Sequence, residues 1–311
     1  MATNQKIQHH ALGDTAARQL ANATKTVPQL LTITPRWLLH LLPWVPVEAG
    51  VLRLNKVKNP AQVEVALSHG DESELPETFV DIEEHPREYF LNALTTVVDI
   101  HTRVSDLFSS PHDQIKDQLR LTIETVKERQ ERELINNPDY GLLANVDAGQ
   151  RTSTLTGAPT PDDLDNLLAK VWKEPTFFLA HPLAIAAFGR EATRRGVPPA
   201  TVSLFGSQFI TWRGVPLLPS DKVPVVDGKT SILLLRVGES RQGVIGLYQP
   251  GLVGEQGLGL SVRFMGINRS AIASYLVSLY FSLAVLTEDA LAVLEGVEIG
   301  KFHGYADTYK K

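Results

Sequence analysis

Residues 270–287, SAIASYLVSLYFSLAVLT, run for eighteen positions without a charged side chain. No other stretch constrains the fold so tightly, because a segment this apolar has to enter a core or a bilayer. Ser270, Ser274, Ser278 and Ser282 recur at every fourth position, which predicts a small polar stripe along one face of a buried helix. The length sits at the lower edge of what crosses a membrane, and the acidic Glu288 and Asp289 follow it rather than basic residues. A buried helix is therefore the expected state. A membrane-associated protein using the apolar helix 270–287 is the alternative.

A second apolar concentration lies at residues 33–56, ITPRWLLHLLPWVPVEAGVLRLNK. Thr34 as N-cap, Pro35 at the first helical position and Pro43 as terminator predict a short helix, and Asp14 caps an earlier one at 14–24. Trp37, Leu38, Leu41 and Leu42 form one face that two short helices cannot cover, so a sister copy is expected to receive it together with Trp44. Beyond it, VEAGVLRLNKV reads as a strand, and the alternation Ala61, Val63, Val65, Leu67 reads as another, joined by a turn at NKVKNP. The two would form a ribbon that is marginal alone in water. Val51, Leu52, Leu54, Val63 and Val65 are its expected contacts between copies. An acidic return segment follows.

From Tyr89 the pattern reads as helical. A long helix starts at Ser110-Pro111 and stops at Asn137-Pro138, with Ile115, Leu119, Thr122 and Val126 on one side. Glu124 with Lys127 and Glu128 with Arg132 are expected on a solvated face. Residues 150–163 are a loop by composition, followed by a helix in DLDNLLAKVW and a short apolar element at 176–196. Strands are expected in SQFITW, KTSILLLRVG, GVIGLYQ and LSVRFMGI, with a glycine-rich loop, PGLVGEQGLG, before the last of these. The fold class is α+β.

Catalytic patterns are missing. GKT at 228–230 lacks the earlier glycine of a phosphate loop, since position 223 is Val223. The glycine spacing at 251–259 does not match a dinucleotide fingerprint, and neither G-x-S-x-G nor H-E-x-x-H occurs. With no cysteine, thiolate nucleophiles, thiolate metal sites and disulfides are excluded, and the nine histidines are scattered except for His9-His10. A net charge of −5 argues against a general nucleic-acid binder. The first residues lack a secretory pattern. No enzyme reading has positive support; a soluble enzyme of unrecognised type stays as a rival, and no metal site is expected.

Four stretches carry a resemblance: TAARQLANATKT, TPRWLLHLLPWV, WRGVPLLPSDKVP and the long run GLGLSVRFMGINRS through AVLEGVEIG. Over nearly the whole chain the sequence resembles the shell proteins of family 2A encapsulins, the subtype that loads a cysteine desulfurase. The resemblance implies the HK97-type phage capsid fold. Its parts would be an N-terminal arm at 1–45, an extended loop at 46–86, a peripheral domain with a long spine helix at 87–154 and 286–311, and an axial domain at 155–285. It further implies an icosahedral nanocompartment of about sixty copies in its smallest form. Its cargo would be a pyridoxal-phosphate cysteine desulfurase serving sulfur metabolism or storage. The shell itself would need no cofactor, no nucleic acid and no membrane, and would lie in the bacterial cytoplasm. Arg194, Arg195 and Gly196, and Gly251, Gly254 and Gly257, become candidates for loops lining a pore.

Overall fold

The computed structural model describes residues 33–58, 63–65, 77–101 and 114–302. The expected helix at 14–24, the His9-His10 pair, residues 71–74 of the acidic return segment and the expected helix start at Ser110-Pro111 lie outside the described residues. In chain order the elements begin with α1 (Trp37–Leu41), β1 (Trp44–Pro46), β2 (Val51–Leu54), β3 (Arg87–Phe90), β4 (Asn92–His101) and α2 (Gln114–Asn136). Next come β5 (Arg151–Ser153), α3 (Pro161–Lys170), β6 (Phe177–Ala180), α4 (Pro182–Arg194), β7 (Ala200–Leu204), β8 (Ser207–Trp212) and β9 (Val215–Pro219). The last are β10 (Lys229–Leu235), β11 (Val244–Tyr248), β12 (Glu255–Gly257), β13 (Leu260–Ile267), β14 (Ile272–Val285) and β15 (Leu291–Glu298).

A seven-stranded sheet, ordered β5-β15-β10-β6-β9-β8-β7, holds much of the core. Its central strands carry unbroken apolar runs, Phe177–Ala180 in β6, Ile232–Leu235 in β10 and Leu291–Leu294 in β15, because both faces are covered there. On one face Phe178, Ile232, Leu234, Ala292 and Leu294 pack against Leu164 and Leu167 of α3 and Phe188 of α4. On the other, Phe177, Leu179, Leu233, Leu235 and Val293 meet Leu38, Leu134 and Ile135. Helix α3 starts sharply because Thr160 and Asp163 form a reciprocal capping box with Pro161 at the first position.

The uncharged run 270–287 is not a helix. It forms β14, which β4 pairs along Ile272–Phe281, β13 along Ala273–Leu279 and β11 along Phe281–Val285, all antiparallel. A spacing of four is even, so it places Ser274, Ser278 and Ser282 on one face of a strand as readily as of a helix. The odd positions Val277, Leu279, Phe281, Leu283 and Val285 enter the core. Pairing on both edges and burial on both faces erase the polar alternation that normally exposes a strand. No helix among the described residues is long and apolar enough to cross a membrane. The helical reading after Tyr89 is corrected likewise, since residues 87–101 form β3 and β4.

Strands β13 and β14 join β4 beneath α2, and β15 joins the seven-stranded sheet.

The N-terminal segment also differs from expectation. Leu38 is fully buried and Leu42 nearly so, within the chain's own core, and Trp37, Leu41 and Trp44 pack against that core. Trp37 lies 5.5 Å from Phe205 and 5.2 Å from Phe209, ring centre to ring centre. The edge of the main core and α2 thus bury Leu38 and Leu42 within the subunit and leave Trp37, Leu41 and Trp44 half-buried against it. Arg36, not Thr34, precedes the helix, in the left-handed region at φ 49°. The Thr34 hydroxyl donates instead to Glu128 Oε2 at 2.9 Å.

Glu124 and Glu128 are accordingly not on a solvated face. Arg36 Nη1 sits 2.6 Å from Glu124 Oε2, and Lys222 Nζ 2.5 Å from Glu128 Oε2. Strand β1 then pairs in parallel with β11, setting Trp44 opposite Gly246. The indole covers the glycine so closely that a Cβ there would stand 2.6 Å from a ring carbon. We expect Gly246→Ala to displace Trp44 and cost about 1–3 kcal/mol in denaturant unfolding of the purified protein. Leu38→Ala should cost about 2–5 kcal/mol by the same measurement, as for a core leucine of a folded subunit.

Candidate assembly surface

Between β2 and β3 the chain leaves the body and returns as an antiparallel ribbon. Val51 pairs with Phe90 and Leu54 with Arg87. Further out Val57 bridges Ile82, and the backbone hydrogen bonds Lys58 N–Asp81 O and Glu83 N–Lys56 O, both 2.9 Å, continue the ladder. Thr78 Oγ1 donates to Glu64 O at 2.8 Å. A ribbon exists in which the outgoing strand pairs with residues 81–90; of the expected partner 61–67, the described residues 63–65 are not a strand and the others lie outside the described residues.

The ribbon's root is fixed to the body. Leu52 and Leu54 pack beside Val47, Tyr89, Ile245 and Leu247. Tyr89 Oη donates to Val285 O at 2.7 Å, and burial pushes this phenol up from its usual pKa. Lys56 Nζ reaches Glu288 Oε1 at 2.9 Å. At an exposed point further out Lys58 hydrogen-bonds Asp81 and holds its carboxyl below the usual range.

The outer part is different in kind. Val65 is 82% exposed and Phe79 86%, with Val57, Val63, Val80 and Ile82 also exposed. Apolar groups so concentrated on a projecting ribbon mark an interaction surface. Of the ribbon residues expected to touch another copy, Leu52 and Leu54 serve the chain's own core, Val51 lies in β2, and Val63 and Val65 face outward. Sequence reading missed Phe79, Val80 and Ile82, although TFVDI interrupts an acidic segment and could have flagged them.

The loop candidates stand on different sheets. Arg194 and Arg195 close α4 by bonding the buried Glu191, at 2.7 and 3.0 Å. The Arg194 hydrogen bond leads the effects that hold that carboxyl down to about 2. Gly196, at φ 79°, ends the helix just before β7. Gly251, Gly254 and Gly257 belong to the β11–β12 connection and to β12, on the sheet that contains β14; Gly254, at φ 73°, lies against the Val262 carbonyl. Among the described residues no group of three or more His, Asp or Glu side chains is arranged to hold a metal ion.

Comparison with known proteins places these features. Residues 51–301 match a family model described as type 2A encapsulin shell protein, SrpI-like. The chain is 75% identical over 295 residues to the type 2A encapsulin shell protein SrpI of Synechococcus elongatus, covering 95% of this chain and 96% of that one. It is 70% identical to a type 2A encapsulin shell protein of Mycolicibacterium paratuberculosis, covering 97% of this chain and 99% of that one. Superposed on the holo-SrpI encapsulin complex from Synechococcus elongatus, it gives a TM-score of 0.83 at 70% identity, covering 95% of this chain and 99% of that one. The capsid of a native GTA particle shares the fold alone, with a TM-score of 0.57 at 13% identity, covering 92% of this chain and 100% of that one. The α+β architecture is thus the HK97-type capsid fold, and the chain belongs to the type 2A encapsulin shell proteins, a family of structural proteins rather than enzymes.

Proposed function

We propose that this chain assembles with copies of itself into a closed shell of about sixty subunits, joined in part by the exposed outer ribbon. The observation that carries this reading is the contrast along one ribbon, buried at its root and apolar but uncovered at its end. A subunit that folds by itself has no use for Phe79 at 86% exposure, whereas a neighbouring copy can cover it. Burying each such side chain is worth roughly 1.5–3 kcal/mol. Repeated at every contact of a closed shell, this outweighs the cost of ordering the ribbon. The family membership and the likeness to holo-SrpI support the same reading.

The enclosed cargo is, on this proposal, a pyridoxal-phosphate cysteine desulfurase acting in the cytoplasm for sulfur metabolism or storage. The shell contributes a barrier and does no chemistry. Having no cysteine, it offers such a cargo no thiol of its own to accept sulfur. Loops around Arg194–Gly196 and Gly251–Gly257 are the candidates for lining its openings.

Negative-stain microscopy of the purified chain should show uniform hollow particles; monomers or dimers under assembly conditions would overturn the shell reading. Val65→Asp combined with Phe79→Asp should abolish particles while leaving a folded subunit with an unchanged circular dichroism spectrum. Particles purified from native cells should carry pyridoxal-phosphate absorbance and release alanine from cysteine when opened. Empty particles, or a cargo without that cofactor, would refute the desulfurase assignment while leaving the shell intact.

A further inference from the structure

Where residues 33–42 dock on α2, the charges of the described residues do not balance. Four carboxylates, Glu124, Glu128, Glu131 and Asp221, meet two cations, Arg36 and Lys222. Arg36 comes from the docked segment, the glutamates from α2, and Asp221 with Lys222 from the β9–β10 connection. His181, at the start of α4, also faces Asp221.

Glu131 is the least compensated of the four. It is 1% exposed, and its Oε1 accepts the Leu38 N–H at 3.1 Å. Its Oε2 lies 3.9 Å from Lys222 Nζ, whereas Glu128 and Asp221 each hold that ammonium at 2.5 Å. Lys222 also donates to Thr34 Oγ1 at 2.7 Å, so its three protons are already engaged by nearer oxygens. Among the described residues this buried carboxylate has one amide donor and a distant, shared cation, too few partners to keep it readily ionised. Burial pushes its pKa up to about 7, against the pull of Lys222 and of the Leu38 amide.

We propose that residues 33–42 are fastened to α2 by a pH-dependent latch, closed while Glu131 is protonated and loosened when it ionises. With Glu131 neutral the site carries one excess negative charge; with it ionised, two. The neutral acid still accepts the Leu38 amide, so the docked geometry survives protonation. When the segment lifts, water reaches Glu131 and its carboxyl returns to the ordinary range. The docked state therefore holds a proton that the released state does not. Docking weakens as pH rises between about 4.5 and about 7 and is level above that window. The segment joins residues 1–32 to the body, so the latch governs how firmly that end of the chain is tethered.

Hydrogen exchange on the full-length assembled shell, followed by mass spectrometry of the peptide covering 37–42 and corrected for intrinsic rates, tests this. Protection should fall roughly tenfold between pH 6 and pH 8 and change little from pH 8 to pH 9. Glu131→Gln, neutral at every pH and still able to accept the Leu38 amide, should remove the dependence. Glu128→Gln should move the transition to lower pH by removing a neighbouring charge. Equal wild-type protection at pH 6 and pH 8, or the same fall in Glu131→Gln, would overturn the proposal. Should the variants not fold, the wild-type profile alone decides it.

Discussion

Strand β14 is the part on which the remaining architecture depends. Its hydrogen bonds tie it to β4, β13 and β11, and α2 lies over the first part of that sheet. Through β11 it also reaches β1, and hence the N-terminal segment and Trp44. A chain with fourteen residues committed to three neighbours gains little from local propensity alone. The ladder and the buried odd-numbered side chains make the strand stable where the same residues, read singly, suit a helix.

The N-terminal segment shows how one observation divides two ideas that first looked inseparable. Its apolar face was expected to require a second copy, yet Leu38 and Leu42 are buried within the subunit. The role of a shell protein rests instead on family membership and on the apolar outer ribbon. The segment is held by apolar packing at Leu38 and by ion pairs around Lys222, and the two differ in character. Packing is insensitive to proton activity, while a buried set of unequal charges responds to it.

Much of the fold could be read from residues in order. The helix in DLDNLLAKVW, the strand in SQFITW and the long helix ending near Asn137 follow from local rules, because caps, turns and periodicity act over a few residues, whereas the expected loop 150–163 also holds β5 and the start of α3. Residues 270–287 misled because their serine spacing is even and both faces are covered; the β-branched and aromatic residues Ile272, Tyr275, Val277 and Phe281 carried the better signal. The ribbon was legible as a ribbon, but its register was not, since the partner of Val51 lies thirty-nine positions away at Phe90. Nothing local marks Glu131 and Lys222 as neighbours, for they approach only when α2 packs against the β9–β10 connection. Phe79 was visible as a residue but not as an exposed one.

The Tyr89–Val285 hydrogen bond joins the foot of the ribbon to the last residue of β14. A strand pair advances about 3.3 Å per residue, so the outer apolar groups sit on a long lever whose fulcrum is the end of the main ladder. Over the ten residues from Tyr89 to Phe79, a few degrees of rotation at that fulcrum become about 2 Å of travel at the tip. The angle at which the outer ribbon projects is therefore set inside the subunit, by a bond buried in its own fold.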